Sequence, residues 1–215
     1  MSLTKNHIKR LYRERAGNYD FSANLYYLIG FRDASYRKLA ISKLGIKEGN
    51  TAVEIGCGTG LNFEYALDYI GKTGKLIGID LTDAMLEKAK DRVLKNNWEN
   101  IELVNIDAAK YEFPQNINAV YSSFVLNMVP EYEEIINNAY QALTSDGKLV
   151  ILDLKQSEKW PLWVVKFGVL ITKPFGISLD LLDRKPWEVM EKYFKKVTVQ
   201  EIYGGFVYIA VGEKS

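Results

Sequence analysis

Two residue types that often carry chemistry are nearly absent from this sequence of 215 residues, which contains one cysteine, Cys57, and one histidine, His7. A single cysteine excludes an internal disulfide bond and a metal site built from several thiolates. A single histidine disfavours the usual zinc sites and the Ser-His-Asp triad, and it leaves histidine-based acid–base mechanisms with one candidate. We therefore expect no metal site in this protein.

The sequence also lacks a strong excess of one charge and a long apolar run. Its formal net charge is +1, which gives no indication of a nucleic-acid partner. No window approaches the roughly 20 apolar residues that a membrane-spanning helix needs, and the first residues lack the apolar core of a signal peptide. We therefore expect a cytoplasmic protein and leave open a peripheral contact with a membrane.

From residue 51 onward, short β-branched runs alternate with amphipathic stretches. Strands are predicted at Thr51–Ile55, Lys75–Ile79, Ile101–Asn105, Ala119–Ser123 and Lys148–Asp153, and helices at Leu61–Ile70, Asp83–Asn96 and Glu131–Leu143. Thr82 can cap the second of these helices, and Asp146-Gly147 predicts a turn before the fifth strand. Two further runs, Lys196–Ile202 and Phe206–Val211, are joined by Tyr203-Gly204-Gly205 and predict a hairpin. The pattern is typical of an α/β fold, with a seven-stranded, mostly parallel sheet, a C-terminal antiparallel hairpin and helices on both faces.

A glycine-rich segment directly follows the first predicted strand. Gly56, Gly58 and Gly60 let the backbone turn sharply and approach a ligand closely, because no Cβ atom stands in the way. Asp80 ends the second strand, where a carboxylate can accept hydrogen bonds from both ribose hydroxyls of a nucleoside. Asp107 follows the third strand and can reach the exocyclic amine of an adenine. Each feature alone could be a structural turn or a solvated carboxylate, but their order and spacing together indicate a nucleoside cofactor.

The same segment disfavours a nicotinamide dinucleotide. The G-x-G-x-x-G fingerprint of that cofactor, started at Gly56, would require glycine at position 61, and Leu61 occupies it. Glu54 instead precedes the first of three alternating glycines by two residues. The spacing therefore points to a different nucleoside cofactor.

The segment E-x-G-x-G-x-G that begins at Glu54, the strand-end Asp80 and the pair Asp107-Ala108 resemble the cofactor motifs of class I S-adenosylmethionine-dependent methyltransferases. Tyr19-Asp20, ahead of the domain, agrees with the same pattern. Within this class the sequence is most similar to the ubiquinone/menaquinone C-methyltransferase and phospholipid N-methyltransferase group. The resemblance implies a Rossmann-like fold, S-adenosylmethionine as the cofactor, and methyl transfer to a small, apolar or lipid-like acceptor.

The resemblance also implies a role for each matching residue. Glu54 would lie beneath the glycine turn, hold its amides in place and favour the positively charged methionine end of the cofactor. Asp80 would bind the ribose, and Cys57, at a variable position of the motif, would be a small packed residue. The residues expected to bind the cofactor are Glu54, Gly56, Gly58, Gly60, Asp80, Leu81, Met85, Asp107, Ala108, Ser123 and Phe124.

No motif identifies a catalytic base. Tyr19, Tyr27 and His7 are weak candidates, because aromatic residues near the start of a helix more often serve packing. The fourth strand ends in Ser122-Ser123-Phe124 and lacks the Asn/Asp-Pro-Pro-Tyr/Phe tetrapeptide, which disfavours an RNA or protein methyltransferase. A non-catalytic regulator that binds S-adenosylmethionine remains an alternative.

We expect a single domain with four parts: a helical cap over 1–45, a cofactor-binding core over 46–156, an insertion over 157–194 and a hairpin over 195–215. The insertion contains the apolar run Trp160–Lys173, and lysines recur every seven residues at Lys159, Lys166 and Lys173. Two interpretations remain open, an active-site lid or contact with an anionic membrane or lipid through 157–173. We favour the lid, and both interpretations predict an apolar pocket for the acceptor.

Overall fold

A computed structural model of the protein describes residues 5–20, 30–161, 163, 165 and 179–215. The strands are β1 Thr51–Ile55, β2 Lys75–Asp80, β3 Ile101–Asn105, β4 Ile117–Ser123, β5 Leu143–Leu154, β6 Lys196–Ile202 and β7 Val207–Glu213. The helices with described bounds are α1 Lys5–Arg15, α2 Asp33–Ser42, α3 Phe63–Ile70, α4 Asp83–Lys95, α5 Tyr132–Ala142, α6 Leu179–Leu182 and α7 Pro186–Tyr193.

All seven strands belong to one sheet, in the order β3-β2-β1-β4-β5-β7-β6. The first five strands run parallel, and β7 lies antiparallel to both β5 and β6. The predicted α/β fold with a C-terminal antiparallel hairpin is therefore confirmed. The strand order reverses between β1 and β4, and in such sheets a ligand crevice forms at the carboxyl ends of the strands beside this point.

Successive strand residues point their side chains to opposite sides of the sheet, and here both sides carry apolar side chains. Helices therefore cover both faces. Val53 and Ile55 of β1 pack on the face covered by α5 and α7. Ala52 packs on the opposite face, covered by α2, α3 and α4. Glu54 shares the side of Ala52, so its carboxyl group is directed toward α2 and α3. This parity places an ionisable carboxyl group inside the core and makes its hydrogen-bond partners important.

The structure corrects several details of the predicted elements. Strand β4 begins at Ile117 rather than Ala119, and α3 begins at Phe63 rather than Leu61. Strand β5 begins at Leu143 rather than Lys148, and its pairing with β4 jumps from Ile117–Leu143 to Ala119–Lys148, so the expected turn at residues 146–147 lies in an irregular bulge within the strand. Thr82 occupies the position before α4 as expected, but its side chain makes no capping hydrogen bond. The amide of Ala84 instead bonds to the carboxylate of Asp83.

The two regions outside the core are partly described. In the N-terminal region α1 contacts α4, and Arg13 forms an ion pair with Asp83. In the insertion, Trp160 packs on Phe206, and Lys159 forms an ion pair with Glu201 at 2.8 Å. Tyr27, Lys166 and Lys173 lie outside the described residues. Within the part of the chain that the structure describes, no helix is long and apolar enough to cross a membrane.

Candidate functional site

A cleft opens at the carboxyl ends of β1, β2 and β4, where the strand order reverses. Its empty volume, including the part open to solvent, is about 910 Å³. Of the residues predicted to bind the cofactor, all except Glu54 and Gly60 line this cleft. Residues Lys5, Ile8 and Tyr12 of α1 line it as well, so the N-terminal helix forms part of its wall.

The three glycines of the turn are required for two different reasons. All have positive φ, which side chains with a Cβ atom rarely adopt. A Cβ atom at Gly56 would lie 2.5 Å from Val125 Cγ2, and one at Gly60 would lie 2.6 Å from the ring of Phe63, so both are required by packing. A Cβ atom at Gly58 would have nothing within 4 Å, because the turn borders the open cleft there. Gly58 therefore leaves room for a ligand to approach the backbone, which fits the predicted cofactor.

Asp80 connects the glycine turn to the start of α4. Its Oδ2 accepts a hydrogen bond from the amide of Gly58 at 2.9 Å, and its Oδ1 accepts one from the amide of Thr82 at 2.7 Å. Burial raises the pKa of the carboxyl group, and these two amides oppose the rise by stabilising the anion. Each carboxylate oxygen can accept a further hydrogen bond. Asp80 can therefore hold the turn and receive the ribose hydroxyls together.

Asp107 lines the same cleft but already has a cationic partner. Lys5 Nζ of α1 lies 2.6 Å from its Oδ2 and 2.9 Å from Glu131, while the amide of Ala109 bonds to its Oδ1. Burial acts to raise the pKa of Asp107, but the hydrogen bonds from Lys5 and Ala109 outweigh it, so the pKa is lowered. Asp107 is thus an ionised acceptor at the end of β3, where the adenine amine is expected.

Glu54 lies behind the cleft and does not hold the amides of the glycine turn as predicted. Its side chain is buried, with Oε1 accepting a hydrogen bond from Asn62 Nδ2 at 2.5 Å and Oε2 accepting one from the Tyr121 hydroxyl at 3.0 Å. Burial raises its pKa to about 8, and these two hydrogen bonds and the nearby Arg37 counteract the rise only in part. Within the turn, the amide of Gly58 donates its hydrogen bond to the carboxylate of Asp80 instead. The resemblance to the motif could not show that Asp80, and not Glu54, bonds to an amide of the turn.

Ser123 and Phe124 line the cleft at the end of β4, as predicted. Phe124 has φ of +60°, a conformation in which a bulky residue is strained, and its amide bonds to the carbonyl of Leu152 at 2.7 Å. The Ser123 hydroxyl accepts a hydrogen bond from Asn62 Nδ2 at 3.2 Å. Strain held in place at the mouth of a cleft is typical of functional sites.

The candidate bases have different positions. Tyr19 lines the cleft, and burial raises its pKa, which makes it a poor proton acceptor at neutral pH. His7 is exposed on α1 and is not among the residues that line the cleft. Tyr27 lies outside the described residues. Cys57 is buried beside Gly78, and burial raises the pKa of its thiol, in agreement with the predicted packing role.

Several charged residues around the cleft could not be predicted from the sequence. Arg37 of α2 is buried and lines it. Asp20 accepts a hydrogen bond from the Thr59 hydroxyl at 2.6 Å and forms an ion pair with Arg92, whose Nε also bonds to the Thr59 carbonyl. The Tyr19-Asp20 pair in the sequence did indicate the group formed by Asp20, Thr59 and Arg92. No pattern in the neighbouring sequence indicated that Arg37 is buried. Among the described residues, no cluster of side chains could hold a metal ion.

Comparisons with known proteins agree with this geometry. A profile of the ubiE/COQ5 methyltransferase family matches residues 1–169. A demethylmenaquinone methyltransferase of Staphylococcus aureus is 30% identical over 155 residues, which are 71% of this chain and 62% of that protein. An arsenite methyltransferase of Halobacterium salinarum is 31% identical over 114 residues, which are 53% of this chain and 29% of that protein. The chain thus spans less than two thirds of the length of these curated relatives.

The crystal structure of a SAM-dependent methyltransferase from Aquifex aeolicus matches with a TM-score of 0.59 and 22% sequence identity, covering 83% of this chain and 89% of that one. This match shows a shared fold. The family profile covers the glycine turn and all the predicted cofactor residues. The predicted resemblance is confirmed: the chain belongs to the ubiE/COQ5 methyltransferase family, among the class I S-adenosylmethionine-dependent methyltransferases.

Proposed function

We propose that this protein transfers the methyl group of S-adenosylmethionine to a small, apolar or lipid-like acceptor. The observation that carries the proposal is the composition of the cleft wall. Its lining combines glycine and acidic residues at the ends of β1, β2 and β3 with apolar and aromatic residues of α1 and of the segment after β4. The first group of residues suits a nucleoside, and the second suits an apolar acceptor.

The chain's own residues would bind and orient the two reactants. When bound, the cofactor supplies a methyl group on a positively charged sulfur that is already activated for transfer. Asp80 would accept hydrogen bonds from the ribose, Asp107 would accept one from the adenine amine, and Gly58 would let the backbone approach closely. Leu81 and Met85 line the cleft beside Asp80 and offer an apolar surface to the adenine ring. Alignment and exclusion of water are then the main contributions that the protein makes to the rate.

The apolar part of the wall favours a hydrophobic acceptor. Ile8 and Tyr12 of α1 line the cleft together with Met128 and Val129, and the Tyr12 hydroxyl is 3.5 Å from Met128 Sδ. Of the two curated relatives compared here, one is named for demethylmenaquinone and the other for arsenite, both small molecules. A hydrophobic quinol-like acceptor agrees better with this wall than an inorganic oxyanion does, because the wall offers it mostly hydrocarbon surface.

The side chains of the cleft that could take up a proton also indicate what kind of molecule can accept the methyl group. Burial raises the pKa of Tyr12, Tyr19 and the Cys57 thiol, so these groups stay protonated at neutral pH. Asp107 is paired with Lys5, and both oxygens of Asp80 accept backbone hydrogen bonds. We infer that the acceptor brings its own reactive electron pair, as an amine, a thiolate or a readily ionised quinol would, and needs no strong base from the protein.

The test combines binding and turnover. S-adenosylhomocysteine should bind in a titration calorimeter and NAD should not, and Asp80→Ala should weaken the binding by about tenfold or more, since each hydrogen bond to a charged group contributes roughly 1.5–3 kcal/mol. Asp68→Ala, which removes an exposed carboxylate of α3, is the matched control and should bind like the wild type. A panel of quinols, phenols, amines and phospholipids is then screened for release of S-adenosylhomocysteine. Binding of NAD without binding of S-adenosylhomocysteine would contradict the proposal.

A further inference from the structure

Asp153 is a buried carboxyl group that the proposed binding of cofactor and acceptor does not use. It lies near the end of β5, its residue is 3% exposed, and it is not among the residues that line the cleft. Removing a carboxylate from water is costly unless hydrogen bonds satisfy its oxygens. The partners of Asp153 therefore indicate what this side chain holds in place.

These partners are backbone amides, most of them in the segment after β4, residues 124–129. Oδ2 of Asp153 accepts a hydrogen bond from the amide of Asn127 at 3.0 Å, and Oδ1 accepts one from the amide of Leu154 at 2.8 Å. Burial raises the pKa of Asp153 to about 7, and these amides, with those of Val125 and Leu126, oppose the rise by stabilising the anion. The carboxylate thus holds the backbone at the start of the segment.

The segment is also attached to the residues on either side of Asp153. The amide of Phe124 donates to the carbonyl of Leu152 at 2.7 Å. The side-chain amide of Asn127 donates to the carbonyl of Leu154. The segment is therefore bonded to three successive residues at the end of β5, and Asp153 is the one whose side chain takes part.

Arg184 holds the carbonyl groups of the same segment. Its Nη1 donates to the carbonyl of Asn127 at 2.8 Å and to that of Val129 at 3.2 Å. Arg184 follows α6 in the insertion, so it connects the segment to a different part of the chain from β5. The backbone of Asn127 is thus bonded to an anion through its amide and to a cation through its carbonyl, and such charge-assisted hydrogen bonds are stronger than neutral ones.

The segment needs this support because it is strained and lines the cleft. Phe124 has φ of +60°, and a strained backbone persists only where its surroundings hold it. The side chain of Val125 fits against Gly56 of the glycine turn, where a Cβ atom would lie 2.5 Å from Val125 Cγ2. Four residues of the segment line the cleft, namely Phe124, Val125, Met128 and Val129. A shift of its backbone would therefore change the shape of the cleft.

We propose that Asp153 and Arg184 are positioning residues for the acceptor, which together fix residues 124–129 so that Met128 and Val129 present their apolar surface to it. This inference rests on the proposed function, because it concerns the acceptor of the same cleft. Asp80 and Asp107, the acids expected to bind the ribose and the adenine, end other strands and do not depend on these bonds. Loss of either positioning residue should therefore affect the acceptor far more than the cofactor.

The test removes one anchor at a time. Asp153→Ala removes both acceptor oxygens, Asp153→Asn keeps one of them, and Arg184→Met removes the cation. Hydrogen exchange followed by mass spectrometry reports how firmly the amides of residues 125–129 are held. Calorimetry gives the affinity for S-adenosylhomocysteine, and turnover of the best acceptor from the panel gives KM and kcat. The matched controls are Asp146→Asn, an exposed carboxylate near the opposite end of β5, and Lys185→Met, the exposed cation next to Arg184 in the sequence.

We expect Asp153→Ala and Arg184→Met to speed amide exchange in residues 125–129 by about tenfold or more, while β1 and β2 keep their protection. The same variants should lower kcat/KM for the acceptor by about tenfold or more, mainly through KM, because the wall binds the acceptor both before and during the transfer. Affinity for S-adenosylhomocysteine should stay within about threefold of the wild type. Asp153→Asn should be intermediate, and both controls should behave like the wild type.

Three results would overturn the inference. Unchanged exchange in residues 125–129 would show that the two side chains do not hold the segment, whichever acceptor is found. Equally faster exchange throughout the sheet would show a role in global stability alone, and equal losses for cofactor and acceptor would show no selective effect. If Asp153→Ala does not fold, Asp153→Asn and Arg184→Met carry the same comparison. A wild type that binds no S-adenosylhomocysteine would contradict the proposed function, and the exchange measurement would still decide whether Asp153 and Arg184 fix the segment.

Discussion

Replacement of Glu54 by glutamine should change how the stability of this protein depends on pH. Glu54 is buried in the core on the α2 and α3 face, where burial raises its pKa from 4.5 to about 8 despite hydrogen bonds from Asn62 and Tyr121 and the nearby charge of Arg37. The group is therefore mostly protonated in the folded protein at neutral pH and mostly ionised in the unfolded chain. Glutamine has nearly the same shape and carries no charge at any pH.

The sign follows from proton binding. Between pH 4.5 and about 8 the folded state binds more protons at this residue than the unfolded state, so the free energy of unfolding falls as pH rises through this range. Linkage converts the difference into a loss of about 2–4 kcal/mol between about pH 5 and pH 8.5. Asp153, whose pKa burial raises to about 7, contributes a fall of the same sign. Asp153 is present in both proteins, so it cancels when the variant is compared with the wild type.

The assay is chemical denaturation of the wild type and Glu54→Gln at several pH values across that range. We expect the variant to become more stable relative to the wild type as pH rises, by about 2–4 kcal/mol over the range. Glu64→Gln, an exposed position of α3, controls for the general effect of removing a carboxyl group. A difference between variant and wild type that stays constant with pH would refute the reasoning. It would mean that Arg37 and the hydrogen bonds keep Glu54 ionised in the folded state.

Two further predictions concern the N-terminal helix and the insertion. Lys5→Met should lower the free energy of unfolding by about 0.5–1 kcal/mol at neutral pH, since it removes a partly exposed ion pair. The difference should shrink as the pH falls and Asp107 is protonated, whereas an unchanged difference in acid denaturation curves would contradict the role of the pair. Trp163→Ala should change the free energy of unfolding by less than about 0.5 kcal/mol, because Trp163 is 72% exposed. On the lid interpretation neither this variant nor the wild type should sediment with anionic vesicles, and salt-sensitive sedimentation of the wild type would favour the membrane interpretation instead.

The sheet could be predicted from the sequence because the pattern of each strand is local. β1 and β3 begin and end where the β-branched runs do, at Thr51–Ile55 and Ile101–Asn105. The start of β5 could not be predicted, since residues 143–147 pair through a bulge that depends on β4 rather than on their own composition. The turn-forming residues Asp146-Gly147 correctly predicted an irregularity at this point. They did not predict that the strand continues on both sides of it.

The grouping of the expected cofactor residues at one edge of the sheet could be predicted for a similar reason. The glycine turn, Asp80 and Asp107 each follow a strand end, and the carboxyl ends of parallel strands meet at one edge of the sheet. A sequence pattern therefore places these residues together without knowledge of the helices. Lys5 could not be predicted in this way, because its contact with Asp107 joins residues 102 positions apart through the packing of α1.

The position of Glu54 shows where motif resemblance stops being informative. The motif correctly marked an acid at the end of β1, but the alternation of side chains along the strand directs it into the core, away from the turn it precedes. Its connection to the cleft runs through Asn62, which also contacts Arg37 and Ser123. With Glu54 neutral, the ion pair with Asp33, 2.7 Å from Arg37 Nε, is what balances the buried charge of Arg37.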